Sequence, residues 1–246
     1  MVKMKKLKID EAEAKRLERE TNRKRLLSDR TKFAVKESYK ELRTNVMFSL
    51  AGDESKVILV TSALAGEGKS TSCFNLAMTF AETGAKVIVL DCDLRRPNVG
   101  KLLGFNDEEG LSNYLVKKAS LEKVVKSSGF TNLDVILAGK VPPNPVELLS
   151  SDSMKELLEI LKEKYDYIFL DTPPIHIVTD AAAMSSLVDG TIVVVRQFVA
   201  EKNILKEAVG KLEFVNAKIL GFVFNDVVVG GKNYGKYNSS YKYGYY

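Results

Sequence analysis

Cysteine is scarce in this chain and histidine scarcer. Cys73 and Cys92 are the two cysteines in 246 residues, and no CxxC pair occurs. That excludes a disulfide framework and a cysteine-based zinc site and fits a reducing compartment. Both thiols then read as small buried side chains. His176 is the single histidine, so no relay of several histidines is available, and its position after Pro173-Pro174 reads as a loop. No apolar run approaches the ~18–20 residues of a membrane span. The opening residues, MVKMKKLKID, are basic but lack the apolar stretch of a secretory signal. No internal repeat is present. The closing stretch from Gly230 to Tyr246, GGKNYGKYNSSYKYGYY, has no acid and no Leu, Ile, Val, Phe or Met, so it cannot build a core.

What is present describes a soluble globular protein, 45% hydrophobic and 28% charged, of the size of one α/β domain with flexible ends. Its charge is uneven. Residues 1–32 hold twelve Lys/Arg against six Asp/Glu, a net +6, which leaves the rest of the chain at net −1. The basic arm contains EAEAKRLERETNRKRL, whose composition favours a solvated helix. Contact with anionic lipid, where each basic residue near the surface contributes ~1 kcal/mol, is the other reading. The arm lacks interleaved aromatics and the body is near neutral, which excludes nucleic acid as a partner. The tail carries six of the ten tyrosines: Tyr234, Tyr237, Tyr241, Tyr243, Tyr245 and Tyr246. Three parts result: an arm over 1–32, a domain over 33–229 and a tail over 230–246.

Within the domain, short β-branched runs alternate with helical patterns. Strands are expected at 57–62, 86–91, 133–137, 167–171, 191–195 and 218–224, apolar on both faces because helices cover both sides. Helices are expected at 70–83, stopped by Gly84, and at 152–164 and 201–215. An earlier helix at 35–50 carries Val35, Tyr39, Leu42, Val46 and Leu50 at helical spacing, and VPPNP (141–145) is a loop. Such alternation predicts an α/β fold with a doubly wound, mainly parallel sheet and helices on both faces.

The first strand runs into ALAGEGKST, an Ala-x4-Gly-Lys-Ser phosphate loop between a strand and a helix, the context the motif requires. Gly66 and Gly68 let successive N–H groups face a phosphate, and the helix opening near Ser70 adds partial positive charge. Lys69 is placed to reach the β- and γ-phosphates of a nucleotide, and the Ser70 hydroxyl to bind Mg2+. Two other strands end in acid: VIVLD gives Asp91-Cys92-Asp93, followed by Arg95 and Arg96, and YIFLD gives Asp171. Carboxylates at the carboxyl edge of a parallel sheet, beside a phosphate loop, suit Mg2+–nucleotide chemistry. Ser70, Asp91, Asp93 and Asp171 form the candidate metal set. Either Asp91 or Asp93 is a candidate base for an acceptor hydroxyl.

TSALAGEGKST, VLDCDLRRP and YIFLDTPP resemble the Walker A, Walker A′ and Walker B motifs of the bacterial tyrosine kinases, autokinases of capsule and exopolysaccharide assembly with a P-loop NTPase fold. The likeness runs from about residue 33 to the end and includes GKVPPNPVELLSS (139–151) and the tyrosine tail. It implies Mg-ATP-dependent phosphorylation of tail tyrosines in a neighbouring copy, within a ring. It also implies activation by a membrane-embedded polysaccharide chain-length modulator and reversal by a cognate tyrosine phosphatase. The place implied is cytoplasmic, peripheral at the inner face of the membrane through that partner.

By this resemblance Lys69, Asp91 and Asp93 are catalytic. Gly66, Glu67, Gly68, Lys69, Ser70, Thr71 and Asn225 hold nucleotide, Asn225 at the adenine. ESYKELR is similar to the family's Glu-x2-Arg-x2-Arg assembly motif through Glu37 and Arg43, with Lys40 in the middle, where lysine keeps the charge and loses the bidentate fork. The rival reading is a partitioning or cell-division-site ATPase of the same fold. Those proteins bear a second lysine early in the loop, where this chain has Leu64. A third reading, an ATP-binding scaffold without chemistry, is opposed by the complete carboxylate set.

Overall fold

The computed structural model describes residues 20–52, 54–105 and 109–228. The six tail tyrosines and most of the basic arm lie outside these residues. Seven strands form one sheet: β1 (Lys56–Ser62), β2 (Val87–Asp91), β3 (Val125–Phe130), β4 (Leu133–Ile136), β5 (Tyr167–Asp171), β6 (Gly190–Arg196) and β7 (Ile219–Asn225). Their spatial order is β3-β4-β2-β5-β1-β6-β7. Every pairing is parallel except β3 with β4. The helices are α1 (Phe33–Ser49), α2 (Lys69–Ala81), α3 (Val99–Leu103), α4 (Leu111–Leu115), α5 (Leu121–Val124), α6 (Pro145–Leu149), α7 (Asp152–Lys162), α8 (Asp180–Met184) and α9 (Lys202–Phe214).

Central strands β1, β2 and β5 are buried almost throughout, as continuous apolar runs predict for a sheet covered on both faces. On one face Met154, Leu157 and Leu161 of α7 join Met184, Ala208 and Leu212 over Val57, Ile88, Ile168 and Val193. On the other, Phe74, Leu76, Ala77 and Phe80 of α2 lie over Ile58, Val89, Phe169 and Val194. Phe80 meets Phe169 edge-on, with ring centroids 5.4 Å apart. Because α2 is sandwiched between the sheet and α1, all its residues except Thr71 are buried. Among the described residues no helix is long and apolar enough to cross a membrane.

Two departures from the sequence pattern are instructive. β3 was not expected: its Ser127-Ser128-Gly129 centre carries no β-branched signal, and it pairs antiparallel at the edge, partly exposed. β7 was expected to be covered on both faces, yet Phe222 and Phe224 are 43% and 65% exposed. They pair in register with Val193 and Val195. Those two valines share a buried cluster with Ala208 and Leu212 of α9, so α9 covers β6 rather than the edge strand.

The inner part of the basic segment is packed. Leu26 and Leu27 are buried in the α2-side core. Asn75 on α2 fastens them: its Oδ1 accepts the Leu27 N–H at 2.9 Å and its Nδ2 donates to the Arg25 carbonyl at 3.1 Å. On α1, Val46 is buried and Tyr39 and Leu42 pack against the same core, whereas Val35 is exposed. Replacing Asn75 by Ala strands a buried backbone N–H, at a cost of about 1–3 kcal/mol. Urea unfolding of Asn75→Ala should show that loss; unchanged stability would mean that residues 25–27 are not held as described.

Candidate active site

Register explains why the carboxylates meet. Asp91 and Asp171 are Cα partners across β2 and β5, and Asp171 also pairs with Val60 of β1. The phosphate loop leaves β1 two residues later, so three adjacent strand ends converge there. Gly66 and Gly68 have φ of +83° and +87°, a region that glycine enters without penalty. A Cβ on Gly68 would also run into the Asn225 side-chain amide, so any other residue there adds displacement of Asn225 to a strained φ.

Lys69 opens α2 and is nearly buried. Its ammonium lies 3.1 Å from Asp93 Oδ2, 3.2 Å from Asp171 Oδ1 and 3.4 Å from Ser70 Oγ. Burial by itself lowers the pKa of Lys69, but the charges of Asp171, Asp93 and Asp91 outweigh it and hold the ammonium above its ordinary range. Burial raises the pKa of Asp171, countered by Lys69 and by a hydrogen bond from Ser70. Burial, and then the charge of Asp171, pushes Asp91 up to about 7. Cys73 and Cys92 are free and buried, and burial drives both thiols well up, as inert cysteines require.

The carboxylates have different surroundings. Both oxygens of Asp91 are engaged by backbone: Oδ2 accepts the N–H of Asn98 at 3.0 Å and of Val99 at 2.9 Å, and Oδ1 that of Asp93 at 3.3 Å. Asp91 thereby shapes the loop after β2 and starts α3. Asp93 accepts the Arg96 N–H on Oδ1 and keeps Oδ2 for Lys69. Asp171 Oδ2 is buried and has no hydrogen-bond partner among the described residues. Among the described residues no His, Cys, Asp or Glu cluster closes into a protein-only metal cage. Mg2+ needs none, because it takes one or two carboxylates, water and substrate phosphates. A hydroxyl, two acidic oxygens near one lysine and an orphaned buried acceptor are donors of that kind.

The other expected residues fall into distinct roles. Glu67 is fully buried and braces the loop, accepting the N–H of Leu64 at 2.7 Å and of Arg196 at 3.2 Å. Asn225 Nδ2 donates to the Glu67 carbonyl at 2.9 Å, so it is tied to the loop backbone. Thr71 sits half-buried in the first turn of α2. Away from the site, Glu37 pairs with Lys40 at 2.8 Å on α1, and Arg43 Nη1 donates to the Thr79 carbonyl at 2.6 Å. His176 lies in the loop after β5, 3.5 Å from Glu207.

Two participants were missed in the sequence. Arg196 donates to the Gly66 carbonyl at 3.4 Å and pairs with Asp226 at 2.6 Å. Buried Asp180 binds Arg95 through both oxygens. Neither belongs to a motif; only the Arg95-Arg96 pair hinted at a partner.

The elevated Asp91 has a consequence for stability. An unfolded aspartate titrates near 4, so between about pH 4 and 7 the folded state binds more protons than the unfolded one, and stability falls as pH rises through that window. Asp91→Asn removes this group. Urea unfolding at pH 5 and pH 8 should show a smaller loss toward pH 8 in the variant than in the parent. An equal or larger loss would contradict the buried pair.

Comparison with known proteins agrees with this geometry. A family model described as an AAA domain matches residues 55–217. The chain is 40% identical over 210 residues to tyrosine-protein kinase YwqD of Bacillus subtilis, covering 85% of each chain. It superposes on the kinase domain of the Escherichia coli tyrosine kinase ETK with a TM-score of 0.76 and 34% identity, covering 85% of this chain and 80% of that one. The cell division ATPase MinD of Pyrococcus furiosus matches less well, with a TM-score of 0.58 and 26% identity over 69% and 71% of the two chains. At this identity and coverage the chain belongs to the bacterial tyrosine-protein kinase family.

Proposed function

We propose that this protein transfers the γ-phosphoryl group of Mg-ATP to tyrosines in the Gly230–Tyr246 tail of a neighbouring copy. The observation that carries the reading is Lys69 poised between Asp93 and Asp171 at the mouth of a phosphate loop. On this reading an incoming phosphate gives Lys69 a competing anion and frees carboxylate oxygens. Ser70 and Asp171 would hold the cation beside Asp93, and the cation when bound would neutralise charge developing on the β- and γ-phosphates. Asp93, whose Oδ2 has no donor but Lys69 among the described residues, takes the tyrosine proton. The tyrosine Oη then bonds to the γ-phosphorus as the bond to the β–γ bridging oxygen breaks, and ADP leaves. Asp91, satisfied by three backbone N–H groups, positions the loop.

The acid-free tail suits a site lined by aspartates, and each phosphotyrosine adds about −1.5 to −2 charges, so the product is repelled. We carry over from the family resemblance the ring, activation by a membrane-embedded chain-length modulator, a role in capsular or exopolysaccharide synthesis and reversal by a tyrosine phosphatase.

Phosphotyrosine formed from Mg-ATP tests the chemistry. Lys69→Met and Asp93→Asn should each lose on the order of 10²-fold or more in rate, and Asp91→Asn less. Wild-type rates in Lys69→Met would reject the phosphate-loop assignment; equal losses in the two aspartate variants would reject the division of labour. Transfer between copies predicts a rate per molecule that rises with protein concentration and rises again on adding the modulator's cytoplasmic peptide. A concentration-independent rate would mean transfer within one chain, and a rate unmoved by the peptide would remove the activator.

A further inference from the structure

Among the described residues, two side-chain ion-pair links join the loop after β2 to the end of β5 and the loop that follows it, beside the backbone hydrogen bond from the Cys92 N–H to the Asp171 carbonyl at 2.9 Å. One is Lys69, which touches Asp93 and Asp171. The other lies outside the motifs: Arg95 Nε donates to Asp180 Oδ2 at 3.0 Å, and Arg95 Nη2 to Asp180 Oδ1 at 3.2 Å. We propose that the Arg95–Asp180 pair is a clasp that keeps Asp93 and Asp171 in range of one cation after Lys69 has turned to the phosphates. The inference rests on the Mg-nucleotide reading of the site given above.

Four observations support it. The contact is bidentate, so it fixes orientation as well as distance, which a lysine does not. Asp180 is fully buried, whereas the Arg95 side chain is 40% exposed. A buried carboxylate deprived of its cation is strongly disfavoured, so the arginine is bound to its place. Each half is close along the chain to a site carboxylate. Arg95 follows Asp93 by two residues, and the next N–H, of Arg96, donates to Asp93 Oδ1 at 3.0 Å. Finally, the chain between Asp171 and Asp180 has little slack. Thr61 Oγ1 donates to the Pro173 carbonyl at 2.9 Å, the Ile175 N–H to the Ser62 carbonyl at 2.9 Å, and Lys211 Nζ to the His176 carbonyl at 2.8 Å. Once Lys69 withdraws, Asp93 and Asp171 are like charges in a poorly solvated site and repel. Arg95–Asp180 is then the side-chain ion pair left between their loops among the described residues. Arg95 and Asp180 are positioning residues: neither lies on the reacting atoms.

The test compares the full-length parent with Asp180→Asn and Arg95→Lys. Binding of a fluorescent ADP analogue is followed without Mg2+ and across a Mg2+ titration, and phosphotyrosine formation across the same titration. Without Mg2+ the nucleotide affinities should stay within about twofold of the parent. The Mg2+ concentration giving half the effect should rise about tenfold or more in Asp180→Asn. Arg95→Lys, which keeps the charge and loses the fork, should fall between. A pair that only held the fold together would lower the melting temperature and leave the Mg2+ midpoint alone. Parental midpoints in both variants overturn the clasp, as does a parent whose nucleotide binding ignores Mg2+. If Asp180→Asn lacks the parent's circular dichroism spectrum, Arg95→Lys decides. Should the parent form no phosphotyrosine, the kinase reading fails, and the Mg2+ dependence of nucleotide binding still judges the clasp.

Discussion

Lys69, nearly closed to solvent, holds its ammonium 3.1 Å from Asp93 and 3.2 Å from Asp171, and the carboxyl edge of the sheet depends on that contact. Asp91, Asp93 and Asp171 are all buried, and three buried anions without a cation would neutralise by taking up protons or would spread apart. One lysine suffices because the three do not compete for it equally. Asp91 is satisfied by backbone N–H groups, leaving Asp93 and Asp171 to share the ammonium. One acceptor is left over, since Asp171 Oδ2 has no donor among the described residues. Folding tolerates that deficit because one unsatisfied buried acceptor costs about 1–3 kcal/mol, within reach of a core this continuous.

The central sheet was legible in the sequence because the physics that forms it is local and repetitive. Parallel strands covered on both faces must be apolar without alternation, and β1, β2 and β5 are. The phosphate loop was legible for a related reason: glycines at positive φ followed by lysine and a hydroxyl at a helix start leave few alternatives. β3 and the exposure of Phe222 and Phe224 were hidden because they depend on sheet order. An edge strand and a central strand can carry similar residues, and the difference lies in whether a helix reaches them.

The strand-end carboxylates and Lys69 singled out in the sequence do lie together in the fold, but the sequence does not separate their surroundings. Asp91 and Asp93 are two apart on one strand end and equivalent on paper. Only in three dimensions does the loop turn back so that Asn98 and Val99 donate to Asp91 and leave Asp93 facing Lys69. Glu67 and Asn225 are similar cases. Each sits in or near the phosphate loop, and each is used to hold its backbone. Asp180 carried no local signal, since its meaning comes from Arg95, 85 residues earlier.

The helix that carries Lys69 also ties down the outer layer. Asn75 and Thr79 are one turn apart on α2 and so share a face. Asn75 holds Leu27 and Arg25 and lies 3.4 Å from the Tyr39 hydroxyl, and the Thr79 carbonyl accepts from Arg43. Helix α1 is therefore part of the domain. Of the residues resembling an assembly motif, Arg43 already spends one donor inside its own chain, while Glu37 and Lys40 face outward and pair with each other. A guanidinium has five donors, so Arg43 can serve both partners, whereas a Lys40 ammonium turned toward a neighbouring copy must leave Glu37. Contact between copies through this helix thus exchanges one exposed ion pair for another, a near-neutral step worth at most about 1 kcal/mol. Were copies to associate through α1, apolar surface would have to contribute as well, and α1 presents it at both ends in exposed Phe33 and Phe48.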